Sequence, residues 1–232
     1  MDRGLEAVNK IKIESNNKNV VVQTLDLSSI ASVRKSAREF LKRERRLDIL
    51  ILNAGIALTK KYLTEDNFEV HMASNHFGHF LLTNLLVPLL VNSSMKKANP
   101  GRIVVVSSLA HWWGKIELDN LNSERSYDLA RRLKNSNIIV NAIHPGAVQT
   151  GLFRHIPYFG PIFHFFAGLA IKNPKALDES LDNVTGEYFS DCKPCSHSNE
   201  SKDLEMATRL WNRSVEILEM DRNEVIPMPK KN

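Results

Sequence analysis

The stretch Gly101–Gly114, GRIVVVSSLAHWWG, decides how this chain folds. Ile103–Val106 is an unbroken run of β-branched residues, the pattern of a strand buried on both faces. It stops on two hydroxyls, Ser107 and Ser108. In an open parallel sheet, ligands bind beyond the carboxyl ends of the strands. A buried strand that ends on Ser-Ser therefore carries a hydroxyl to the mouth of a site. Taken alone, the serines serve as well for a cap or a turn. Their neighbours choose between the two readings.

Outward from this strand, apolar runs alternate with helical periodicity. Asp2 can cap a helix through about Ser15, with Leu5, Val8, Ile11 and Ile13 inward. Val20–Leu25 reads as a short strand ending in Asp26-Leu27-Ser28-Ser29. A helix follows to about Arg46, with Val33, Ala37, Phe40 and Leu41 at helical spacing. Asp48–Leu52 is the next strand and runs into Asn53-Ala54-Gly55. A long helix is expected from Thr64–Asp66, carrying Phe68, Met72, Asn75, Phe80 and Leu85. Beyond the central strand, Ile138–Ile143 exits at His144-Pro145-Gly146, and Glu187–Ser190 is a last short strand. Leu204–Leu218 closes as an amphipathic helix with Leu204, Ala207, Leu210, Trp211 and Leu218 on one side.

Strands alternating with helices predict an α/β fold with a parallel sheet and right-handed crossovers. Residues 1–232 read as one domain. That topology puts Asp26, Asn53–Gly55, Ser107-Ser108 and Pro145-Gly146 along one edge of the sheet, a cleft for an extended ligand.

The 232 residues are 43% hydrophobic with a formal net charge of +5, a composition that excludes a disordered chain. Basic residues are dispersed except in Lys42-Arg43-Glu44-Arg45-Arg46, the solvated end of a helix, so no nucleic-acid partner is expected. Cys192 and Cys195, in CKPC with no second pair, make a poor zinc site and are expected as reduced thiols in a turn. His76 and His79 are spaced like a turn of ligands but lack a third, so no metal is expected there. They are expected to face solvent or a neighbouring helix. The N-terminus has no signal-peptide pattern. The apolar run Leu152–Ile171 is interrupted by Arg154, His155, Pro157, Gly160, Pro161 and His164, too often for a transmembrane span. Its five phenylalanines suit a lid or substrate wall that can touch a membrane surface, or equally ordinary core packing.

Four ordered stretches carry a resemblance: LDILILNAG (Leu47–Gly55), SNHFGHFLLTNLL (Ser74–Leu86), GRIVVVSSLAH (Gly101–His111) and IIVNAIHPGAVQTGL (Ile138–Leu152). Together they closely resemble the short-chain dehydrogenase/reductase superfamily, and its retinol-dehydrogenase branch in detail. The resemblance implies a Rossmann-like doubly wound parallel sheet and an NADP(H)-linked oxidoreductase. Its substrate would be an apolar alcohol, aldehyde or ketone, retinoid-like, met in the cytoplasm or at the endoplasmic-reticulum membrane. Position by position, Asp26 and Leu27 look like the adenine-contacting pair. Asn53, Ala54 and Gly55 are similar to the turn that approaches the cofactor. Asn75 matches the helix asparagine of the family's proton relay, although it can equally bond backbone across helices. Ser108 matches the serine that binds the substrate oxygen. Pro145, Gly146, Val148 and Thr150 look like the loop packed on the nicotinamide.

Three departures set this sequence apart from that pattern. It contains no TGxxxGxG turn, whose backbone N–H groups bind the pyrophosphate. The family's first two strands are missing with it, and most of the active-site helix is too. No Tyr-x-x-x-Lys pair occurs, although the family uses that tyrosine to pass the proton and that lysine to lower its pKa. Tyr127 and Arg131 stand four apart and mimic the pair only in spacing, because arginine does not titrate. Tyr127 is expected out of reach of Ser108. The Rossmann-like sheet is thus expected incomplete, and cofactor binding weak or absent. A second reading is a non-catalytic binding or interaction protein that keeps half of a cofactor cleft. In the family's strand order Val20–Leu25 loses its partner, so it either moves to pair with Asp48–Leu52 or leaves an open edge.

Overall fold

A computed structural model of the chain describes residues 2–57, 62–96, 99–108, 118, 138–144, 181, 183–190 and 193–227. Along the chain these form α1 (Asp2–Ser15), α2 (Ile30–Arg43), β1 (Ile49–Leu52), α3 (Val70–Ser94), β2 (Gly101–Val106) and β3 (Ile138–His144). They continue with β4 (Tyr188–Ser190), β5 (Lys193–Pro194), α4 (Asn199–Lys202) and α5 (Leu204–Ile217). One sheet runs in the order β1-β2-β3-β4-β5. Its first four strands are parallel, and β5 turns back antiparallel on β4. The α/β architecture expected from the sequence is the one observed.

Each element follows from its local chemistry. The β2 run is buried from Gly101 through Val104, flanked by a parallel neighbour on each side. Strand β1 alternates, with Leu50 and Leu52 inward and Ile49 and Ile51 half exposed. Helix α2 starts at the Ser29 cap, whose Oγ accepts from Ser32 N, while Asp66 Oδ2 accepts from Ile30 N at 2.8 Å. Both bonds satisfy donors that a helix start leaves open. Helix α3 is the centre of the core. Leu81, Leu86 and Leu90 share one cluster with Leu50, Leu52 and Ile103 of the sheet, Val33 and Ala37 of α2, and Trp211 of α5. Each fully buried leucine of this kind contributes about 1.5–3 kcal/mol.

Several expectations need correction. Val20–Leu25 is not a strand: among the described residues it belongs to no sheet, and Gln23 instead donates to Ser36 O and Oγ of α2. Thr64–Asp66 does not begin the long helix. Glu69 caps that helix by accepting from His71 N and Met72 N, and Glu65 and Asp66 instead bind the start of α2. Leu5, Ile11 and Ile13 of α1 are exposed rather than inward. The helix leans by Gly4 on the extended segment at Val22, which is too narrow to cover an apolar face. Leu204, expected inward, is 43% exposed at the first position of α5, ahead of the face that Leu210 and Trp211 bury. The CKPC motif enters a hairpin: Lys193–Pro194 pairs with β4, and Cys195 N donates to Tyr188 O at 2.9 Å. Leu152–Ile171 and Cys192 lie outside the described residues.

The long helix expected from the sequence is also notably apolar. Val70–Ser94 is long and apolar enough to cross a membrane by length and composition, yet 67% of its most apolar window is buried inside the protein. Packing against α2, the sheet and α5 accounts for that composition without a bilayer.

Candidate functional site

The parallel register brings the strand ends together. Leu52 pairs with Val105, and Val106 pairs with Ile143. Asn53 therefore leaves β1 level with Val106, and Ser107 leaves β2 level with His144. Asn53, Ala54, Gly55 and Ser108 are exposed there, and Ser107 is partly covered. This is the ligand-binding end of a parallel sheet.

Helix α3 passes behind this end and changes its winding there. Ala73–Phe77 is a π-helical turn, with Gly78 N donating to Ala73 O. Such turns insert one extra residue into a helix and recur at functional sites. The turn carries Asn75. Its Oδ1 accepts from Ile56 N at 2.8 Å and its Nδ2 donates to Ile56 O at 2.9 Å. One amide side chain thus completes both backbone groups of a residue just past the Asn53–Gly55 turn. One helical turn later, His79 Nε2 donates to Ala54 O at 2.7 Å. Burial pushes the His79 imidazole below its ordinary pKa, and the bond to Ala54 only partly opposes this.

The same helix brings in the third stretch. A Cβ on Gly78 would lie 2.2 Å from Leu27 O, so only glycine admits the backbone of Leu27 this close. Asp26 is exposed, and its Oδ1 accepts from Ser28 N at 2.9 Å and Ser28 Oγ at 2.6 Å. This turn leads into the Ser29 cap of α2. Leu27 and the Ala54–Ile56 turn are thus both held against α3, with Ser108 at the end of the strand beside β1. Tyr127, Pro145, Gly146, Val148 and Thr150 lie outside the described residues.

His76 faces a neighbouring helix, one of the two expected outcomes, whereas His79 departs from the sequence reading. His76 is 1% exposed, with Nε2 bonded to Ser214 Oγ of α5 at 2.8 Å. His79 reaches the candidate site instead of solvent. The signal that could have found it was its spacing, since Asn75 and His79 are four apart on one helix face.

The short chain dehydrogenase family pattern matches residues 1–118. This chain belongs to that family. Human retinol dehydrogenase 12 is 37% identical over 93% of this chain and 75% of its own length. Human retinol dehydrogenase 14 is 40% identical over 84% of this chain and 66% of its own length. Among solved structures, a Mycobacterium Paratuberculosis protein superposes with a TM-score of 0.64 at 28% identity, covering 95% of this chain and 82% of that one. The Pseudomonas aeruginosa RhlG/NADP complex gives a TM-score of 0.55 at 25% identity, over 79% of each chain. The chain is thus a short-chain dehydrogenase of the retinol-dehydrogenase-like branch, and nucleotide cofactors are used within its family.

Proposed function

We propose that this chain is by descent an NADP(H)-dependent oxidoreductase interconverting an alcohol and a carbonyl on an apolar, retinoid-like substrate, and that the chemistry of residues 1–232 is impaired. The reading is supported by the exposed Ser108 hydroxyl at the end of β2, beside the Asn53–Gly55 turn, in a chain 37–40% identical to two human retinol dehydrogenases. Ser108 holds the substrate oxygen by donating a hydrogen bond. Asp26, Leu27 and the Asn53–Gly55 turn suit the two ends of a dinucleotide. The pyrophosphate between them calls for a row of backbone N–H donors at a glycine-rich helix start, and the sequence contains none. The residues therefore fit the cofactor only in part. A nicotinamide, when bound, supplies or takes the hydride. The proton has no matching carrier, because the Tyr-x-x-x-Lys pair is absent.

Titration of the chain with NADPH, followed by its fluorescence, tests this directly. Saturation is not expected at micromolar nucleotide, and retinaldehyde reduction is expected to stay at background. Micromolar binding together with turnover overturns the impairment. A full-length transcript encoding TGxxxGxG and YxxxK would mark this chain as one form of an active enzyme.

A further inference from the structure

The Ala54–Ile56 turn is fastened by a single helix. Among the described residues, its hydrogen bonds all run to α3 side chains, two between Ile56 and Asn75 and one from His79 to the Ala54 carbonyl. Asn75 hydrogen-bonds the turn only at Ile56, its far side, although its Oδ1 also lies against Gly55, 3.5 Å from where a Cβ would stand. Ala54 and Gly55 are exposed, and Gly55 lacks the Cβ that would restrict its rotation. The conformation of the near side then depends on the bond to Ala54. We infer that His79 is a positioning residue, whose Nε2–H bond to the Ala54 carbonyl holds the Asn53–Gly55 turn against α3 in the form that faces the ligand. This inference rests on the proposed role of that turn as a cofactor wall.

The geometry also sets the chemical state of the ring. A carbonyl oxygen only accepts, so Nε2 carries the hydrogen and Nδ1 is left as a lone pair. Nδ1 is buried and has no partner among the described residues. Protonation there would bury an N–H with no acceptor, so His79 acts as a neutral donor. A glutamine at this position presents an amide N–H at a similar reach. A leucine fills the space without the donor.

The test is NMR on the intact chain with three forms: native, His79→Leu and His79→Gln. The native side-chain nitrogen shifts of His79 are expected to report the Nε2–H tautomer. In His79→Leu, the order parameters of the Ala54 and Gly55 amides are expected to fall from about 0.85 towards 0.6 or below. The amides of β2 are expected to stay rigid, and His79→Gln to restore the turn. An Nδ1–H tautomer, a turn as rigid in His79→Leu as in the native chain, or a folded His79→Gln as mobile as His79→Leu overturns the inference. If His79→Leu does not fold, the native tautomer and the His79→Gln order parameters decide. Millimolar NADP+ added to the native chain probes the cofactor role separately. Shifts confined away from Ala54 and Gly55 sink that role, while the order parameters still decide whether His79 positions the turn.

Discussion

Two histidines three positions apart on α3 serve different ends of the molecule. His79 reaches the candidate site, whereas His76 is sealed in the core beside Phe77 and Phe80, with ring centroids 4.9 and 5.7 Å away. The Ser214 hydroxyl spends its one hydrogen on Leu210 O at 2.8 Å, so the His76–Ser214 bond is donated by the imidazole. Removing the acceptor leaves a buried N–H without a partner, which costs about 1–3 kcal/mol. Ser214→Ala is accordingly expected to lower the unfolding free energy by that amount in urea denaturation. A loss of only a few tenths would mean that the bond is idle. Both rings lie within SNHFGHF, and only the four-residue spacing from Asn75 sets His79 apart in the local sequence. Their directions depend on which element each helix face meets.

At the scale of elements, β1 is the outermost strand of the sheet among the described residues. Ile49 and Ile51, 42% and 50% exposed, stand on the uncovered face of that strand. The extended segment 20–25 does not move in to pair with it. Of the two outcomes foreseen from the sequence, pairing of Val20–Leu25 with β1 is not the one adopted by the described residues. An apolar edge of this kind templates pairing with another chain. The protein is therefore expected to self-associate as its concentration rises. Ile51→Lys is expected to suppress this in light scattering without lowering the melting temperature, because an edge lysine blocks pairing while its stem still covers the sheet. Unchanged association in Ile51→Lys would place the sticky surface elsewhere.

Across the whole molecule, the carboxyl-terminal tail closes the core laid down by the first helices. Ile226 N donates to the buried Asn84 Oδ1 at 2.9 Å, and Arg34 of α2 pairs with Glu224. The Arg34 guanidinium holds the Glu224 carboxyl below its ordinary value near 4.5, with burial working against it. A lowered folded pKa gives stability that is present above the unfolded value and lost as pH falls through the folded one. Arg34→Ala is thus expected to cost about 1.5 kcal/mol at neutral pH. The deficit should shrink as pH drops below 4.5, read from melting curves at both pH values. A deficit independent of pH would assign the loss to packing. The core of β2, the buried Val33-Ala37 face of α2 and the polar residues at the ends of β1 and β2 were legible in the sequence. Runs such as Ile103–Val106 and spacings such as Val33-Ala37 are local properties of the chain. The tertiary structure alone decided that Val20–Leu25 is no strand, that Glu65 and Asp66 serve α2 rather than α3, and that His79 braces the Ala54 carbonyl. Each of these depends on a hydrogen-bond partner far away in sequence, or on its absence, and no local pattern encodes which distant group will be there.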